Sequence, residues 1–239
     1  MTEKRDIKAL RKEAVAYMHE MSEIKWTPSE DIDLTSIIKT LYYKKGETYY
    51  GVIYNTNKGV DGETFCTQLE DGVYKGPITR EKAFGNHCTS AILITWRRLG
   101  DKTTAGWTAN MMPQCGTGIL ALGNYEIDPE DKRTIDMVER TEPEVLFESY
   151  ALMQEGDAIL YCFGPTGHAR MICENVVVRD AEGKIDPAES YVITIEQTSS
   201  FDKQSKDGIN TTWYVDHKYT YEMLRKSNYI SITVPLFQE

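Results

Sequence analysis

The chain has 239 residues, 41% of them hydrophobic, which is enough to bury a core without disulfide staples. Its 37 acidic side chains against 27 Lys and Arg leave a net charge of −10, so no basic surplus exists to displace counterions from phosphates, and nucleic acid is excluded as the main partner. The five cysteines are odd in number and include no C-x-x-C pair; free thiols are expected rather than a disulfide framework.

The first residues, "MTEKRDIKALRKEAVAYMHEM", mix charge with apolar positions, which reads neither as a signal peptide nor as a membrane span. A cytoplasmic protein is the expectation for the sequence as it stands. Leu10, Ala14, Tyr17 and Met21 recur at helical spacing, and "WTPSEDID" stops the run, so residues 1–26 are expected to hold a helix packed on the body. Residues 37–54 read as short β-prone or irregular pieces. Residues 55–85, rich in Gly, Asn, Asp and Thr, read as a surface loop insertion.

In "FGNHCTSAILITWRRLG" the chain leaves a Gly-Asn turn and becomes amphipathic. Asn86 is placed to cap a helix on which Cys88, Ile92, Trp96 and Leu99 share one face. Residues 100–124 have no clean period. Asp128-Pro129 and the box Thr141-x-x-Glu144 announce helix starts, the second helix ending near Met153. Then "GDAILYCF", "HARMICENVVV" and "YVITIEQT", separated by turn residues, predict an antiparallel meander. A helix around Tyr219 to Lys226 and a strand "YISITVP" close the chain. Helices first and sheet later indicate one α+β unit spanning 1–239.

Cys88 carries the chemistry in this reading. A thiol in the first turn of a helix meets free backbone N–H groups and the positive end of the dipole, which favour the thiolate, and the same amides can hold an oxyanion. His168 follows a Gly-bounded turn at the start of a strand and can serve as the base. The neighbouring strand offers Glu196 or Gln197 as the group that orients the imidazole. Being one residue apart they lie on opposite faces, so at most one of them faces His168.

The other candidates have plainer readings. Cys162 and Cys173 lie in predicted strands, as core residues; Cys66 sits in the 55–85 segment; and Cys115, in "PQCGTG", is the rival nucleophile but lacks a following helix. His19, in "HEMSE", lacks the second histidine of H-E-x-x-H and decorates the first helix, so no metal is expected. His87 adjoins the nucleophile in a capping or substrate-side position, His217 has no partner at ligand spacing, and Asp157 belongs to a turn.

These segments resemble the NlpC/P60 cysteine peptidases. "YYGVIY" is similar to that family's Gly-x-x-Tyr segment, "GNHCTSAI" to its Asp-Cys-Ser-Gly helix start, and "LMQEGDAILYCFGPTGHARMI" to its Leu-x-x-Gly-Asp-like strand start followed by a strand, a turn and a His-led strand. The resemblance spans roughly residues 49 to 200 and implies a papain-like fold, with N-terminal helices on an antiparallel sheet and a catalytic Cys at a helix N-terminus. It implies catalysis by Cys88 and His168 with a polar third residue, commonly His, Asn or Gln in that family, with Tyr54 beside the nucleophile and Gln197 and His87 toward substrate. Here the choice of third residue lies between Glu196 and Gln197, and Glu196 is taken because a carboxylate stabilises an imidazolium better than an amide. The implied reaction is hydrolysis of an amide bond through a thiol ester, on a cell-wall muropeptide with a γ-D-glutamyl linkage, without metal or organic cofactor. A wall substrate implies a cell-wall or extracellular site if an export signal was removed. The sequence departs from the family pattern at His87, Thr89-Ser90 and Ala169-Arg170, and these departures leave open a noncatalytic peptide- or glycan-binding module on the same scaffold.

Overall fold

A computed structural model describes residues 6–36, 40–56 and 59–238. In chain order its helices are α1 (Ile7–Glu23), α2 (Gly62–Cys66), α3 (Cys88–Arg98), α4 (Thr134–Arg140), α5 (Pro143–Ala151) and α6 (Tyr221–Lys226). The first strands are β1 (Lys25–Pro28), β2 (Ile32–Asp33), β3 (Tyr42–Tyr43), β4 (Tyr49–Tyr50), β5 (Leu69–Glu70), β6 (Val73–Tyr74) and β7 (Leu120–Ala121). They are followed by β8 (Ala158–Phe163), β9 (Thr166–Val176), β10 (Tyr191–Gln197), β11 (Asn210–Thr211), β12 (Trp213–Thr220) and β13 (Ile230–Thr233). The architecture is mixed α+β with several sheets. No helix among the described residues is long and apolar enough to cross a membrane.

Helix α1 begins where the Asp6 carboxylate accepts the Ala9 N–H, satisfying one of the amides that a helix start leaves unpaired. Ala14, Tyr17, Met18 and Met21 form its buried face, as the spacing predicts. Arg11 adds a polar anchor: its guanidinium meets the Asp157 carboxylate at 2.9 Å, with both side chains at most 5% exposed, and it also donates to the Glu155 and Phe237 carbonyls. Asp157, read as a turn residue, therefore pins α1 to the start of β8. Removing either partner of such a buried pair typically costs about 3–5 kcal/mol.

A six-stranded sheet, ordered β12-β10-β9-β8-β13-β7, is antiparallel throughout. It contains the expected meander, and the terminal strand inserts beside β8. Helices α1 and α3 pack together and against β9 and β10, so the helix bearing Cys88 lies on the strands that carry His168 and Glu196.

A second, mixed sheet, ordered β11-β4-β1-β6-β5, is built of strands two to four residues long. Trp26 lies at its centre, 1% exposed, its ring 5.4 to 5.7 Å from those of Tyr43, Tyr49, Phe65 and Tyr74, and its Nε1 donates to the Gly51 carbonyl at 2.7 Å. Residues 55–85 are thus more than a surface loop. They supply α2 and the β5–β6 hairpin and bury Phe65 and Tyr74 completely, because two aromatic rings at about 1.5–3 kcal/mol each outweigh the weak strand preference of their flanks.

Two predicted helix starts move. Asp128 and Pro129 form a turn in which the Asp128 carboxylate accepts the Glu130 N–H, and α4 begins only at Thr134. Glu142, not Thr141, caps α5, with Pro143 in the first helical position; the Thr141 hydroxyl accepts the Glu126 N–H instead.

Candidate active site

Helix α3 starts at Cys88 because the segment before it is stitched down. The Asn86 N–H donates to the Ile53 carbonyl at 2.9 Å, its carbonyl accepts the Asn55 N–H at 2.7 Å, and its side-chain oxygen accepts the Val60 N–H at 2.9 Å. Asn86 is therefore occupied with 53–60 rather than capping the helix. The cap is His87, whose N–H donates to Ser90 Oγ at 2.9 Å. Gly85 makes the approach possible, since a Cβ there would sit 2.5 Å from the Ile53 carbonyl oxygen. Cys88, Ile92, Trp96 and Leu99 are all buried, so the predicted stripe is the packed face. As the first helical residue, Cys88 has an N–H with no intrahelical acceptor.

His168 is set by the β8–β9 hairpin, where it pairs with Tyr161 across the ladder. Its Nε2 bonds to the Glu196 carboxylate, leaving Nδ1 as the ring nitrogen for the thiol. Glu196 is 1% exposed and also accepts from Arg170 Nε at 2.8 Å and from the Tyr219 hydroxyl at 2.9 Å. Arg170 lies over the rings of Tyr219 and Tyr229, at 4.1 and 4.6 Å from their centroids. A buried carboxylate is tolerable here because three donors satisfy it, two of them able to carry positive charge.

The electrostatics follow from this arrangement. Burial alone would raise the Cys88 thiol, but the charge of His168, then hydrogen bonding to His168 and His87, hold it well below the usual thiol range. Burial alone would lower His168; Cys88 and Glu196 overcome it and raise the imidazole to about 9. Burial likewise opposes ionisation of Glu196, and His168 and Arg170 bring that carboxyl down to about 2. The stable arrangement near neutrality is thiolate, imidazolium and carboxylate in sequence. Such a thiolate is a nucleophile that needs no deprotonation step, and its imidazolium is an acid ready for a leaving amine.

Cys88, His168 and Glu196 are thus brought together. Tyr54 forms a bridge with Asn86 and has its hydroxyl pushed up by burial and by the Cys88 charge, so it lies beside the thiol. The His87 ring acts on the sulfur and stacks on Trp107, centroids 5.2 Å apart and planes within 9°. Gln197 does not join them. It is fully buried and donates to the Val52 carbonyl at 2.7 Å, so it braces the 52–54 segment from the opposite face, and neither the orienting nor the substrate-side position applies to it.

Among the other thiols, Cys162 is buried, Cys66 is exposed, and Cys115 is exposed with its Sγ donating to the Ala109 carbonyl at 3.5 Å. Cys173 is half-buried and packs against the core. His217 bonds Asp202 at 3.1 Å, a partner the sequence spacing did not indicate. Arg170, Tyr219 and Trp107 were missed. Arg170 and His168 are two apart on one strand and so share a face; that signal was present.

No family model, curated protein or solved structure matches the chain.

Proposed function

We propose that the protein is a cysteine hydrolase of NlpC/P60-like, papain-like design, cleaving an amide bond through a thiol ester. The observation that carries this reading is the buried Glu196 carboxylate bonded to His168, whose ring in turn acts on the Cys88 sulfur at a helix start. Sheet and helix order support it too: a cysteine opening a helix, a histidine on the strand after a hairpin and a carboxylate on the next strand.

In the proposed cycle the Cys88 thiolate attacks the amide carbonyl carbon. The oxygen becomes an oxyanion next to the Cys88 N–H, a contribution typically worth about 10²–10³ in rate per donor. His168 then gives its proton to the amine as the C–N bond breaks, leaving an acyl thiol ester. The neutral imidazole next takes a proton from water, whose oxygen attacks the thiol ester, and thiolate and imidazolium are restored. Glu196 fixes the ring so that one nitrogen faces the sulfur throughout. Arg170 and Tyr219 hold the carboxylate in place, and Tyr54 and His87 flank the sulfur on the substrate side. By the same resemblance the substrate is a cell-wall muropeptide cleaved at a γ-D-glutamyl linkage.

A thiol-directed electrophile tests the mechanism first. Selective modification of Cys88 below neutral pH, lost in a folded His168→Ala variant, is the expected result; modification no faster than that of Cys66 or Cys115 favours a noncatalytic binding module. Release of free amine from a panel of muropeptides then tests the substrate.

A further inference from the structure

A second set of chemistry-bearing side chains gathers five residues further along β9 than His168. The His19 ring on α1, the Cys173 sulfur on β9 and the Asp216 carboxylate on β12 each present one donor atom, and the three lie within 4.8 Å of one another. The sheet is irregular in two places to allow this. Between β9 and β10 the register passes from Ile193↔Glu174 to Thr194↔Ile172, leaving Cys173 as an extra residue. Between β10 and β12 it passes from Thr194↔His217 to Ile195↔Val215, leaving Asp216 as another. Two bulges, one on each neighbour of β10, thus flank the same residue, and bulges re-aim side chains. Asp216 adopts φ 59° to do so, a left-handed conformation that non-glycine residues seldom take. Helix α1 crosses these strands and brings His19 to the same place.

We propose that His19, Cys173 and Asp216 form a binding site for one divalent transition-metal ion of the zinc type, with a further position open to water. Sulfur, imidazole and carboxylate together suit a borderline-soft ion such as Zn²⁺ or Co²⁺ and not Mg²⁺ or Ca²⁺. A tetrahedral zinc sets its donors about 3.3–3.6 Å apart, so side-chain rotation closing the gap by about 1 Å completes the set. An open groove of about 630 Å³, lined in part by Lys8, Arg11, Glu155 and Asn175, reaches Cys173. Binding forms an S–metal bond while the thiol proton leaves to solvent. The bound ion would clip α1 to the sheet.

Cobalt(II) titration of the full chain carrying Cys66→Ser and Cys115→Ser, and separately with Cys88→Ser added, tests this and keeps the Cys88–His168 pair apart from the new site. One Co²⁺ per chain with a sulfur-to-cobalt charge-transfer band is expected in both. Adding Cys173→Ser should abolish the band, and His19→Ala or Asp216→Asn should weaken binding at least tenfold, with circular dichroism unchanged. Zn²⁺ should raise the melting temperature only where all three residues are present. Absence of a band in either host, its loss with Cys88→Ser, or its survival in Cys173→Ser overturns the proposal.

Discussion

In the sheet containing β8, β9, β10 and β12, the buried group at the site is a charged one: Glu196 holds His168, Arg170 and Tyr219 on strands six to eleven residues long. Around β1 the buried groups are rings, with Trp26 ringed by Tyr43, Tyr49 and Tyr74 on strands of two residues and by Phe65 on α2. Charge placement is served by long ladders that fix each strand over many residues, even with a bulge beside Thr194, because a carboxylate displaced by an ångström loses its donors and keeps its desolvation cost. Ring packing is non-directional enough to hold even two-residue strands together. The molecule carries His168 and Glu196 on the first kind of frame and braces the chain before Cys88 with the second.

Substitutions should separate the two halves. Cys88→Ala should have the largest effect, lowering kcat/KM by at least about 10⁴-fold and removing the stability that the thiolate contributes by raising His168. Glu196→Gln comes next: a loss of about 10²–10⁴ in rate, together with about 3–5 kcal/mol of stability because Arg170 is left buried without its partner. Trp26→Ala should cost a similar 3–5 kcal/mol, roughly, by leaving a cavity, yet spare the pH profile of whatever fraction remains folded. A shifted profile in that variant would break the separation of roles. Tyr219→Phe, which removes one hydrogen bond to a charged acceptor, should cost about 1.5–3 kcal/mol and a modest part of kcat.

The pH dependence sharpens the same contrast. His168 is raised from 6.5 to about 9, so its contribution to stability is fully present below pH 6.5 and lost as pH climbs through about 9. Glu196 is depressed from 4.5 to about 2, so its contribution is present above pH 4.5 and lost as pH falls through about 2. Urea midpoints measured across this range should show both limbs in the wild type and weaker ones in His168→Ala/Glu196→Gln, where Asp136 and Glu148, held down by Arg133 and Arg179, keep part of the acid limb. Trp26→Ala should keep both.

The same contrast explains what could be read from the sequence. Cys88 was legible because helix periodicity put it at the head of the stripe ending at Leu99, and His168 because a Gly-bounded turn precedes a long strand. Alternation narrows the partner of His168 to Glu196 or Gln197 and goes no further; in the fold Glu196 bonds the ring and Gln197 turns to the Val52 carbonyl. Arg170 stands two residues from His168 on one strand, a spacing that puts both on one face, but the sequence does not show that they share the Glu196 carboxylate. Residues 55–85 were opaque for a physical reason: strands as short as β5 and β6 carry no period, and the burial of Phe65 and Tyr74 depends on Trp26, 39 and 48 residues away. The bulges at Cys173 and Asp216 were invisible because register is a property of paired strands.

The central claim is that Cys88 and His168 exist as a thiolate–imidazolium pair near neutrality. The most direct measurement is the ultraviolet absorbance of the thiolate, taken as wild type minus Cys88→Ser and titrated from acid to alkaline pH. The account predicts a difference signal already present below neutral pH and abolished by His168→Ala. A Cys88 thiolate that forms only at or above the ordinary thiol range, unaffected by the histidine, would contradict it.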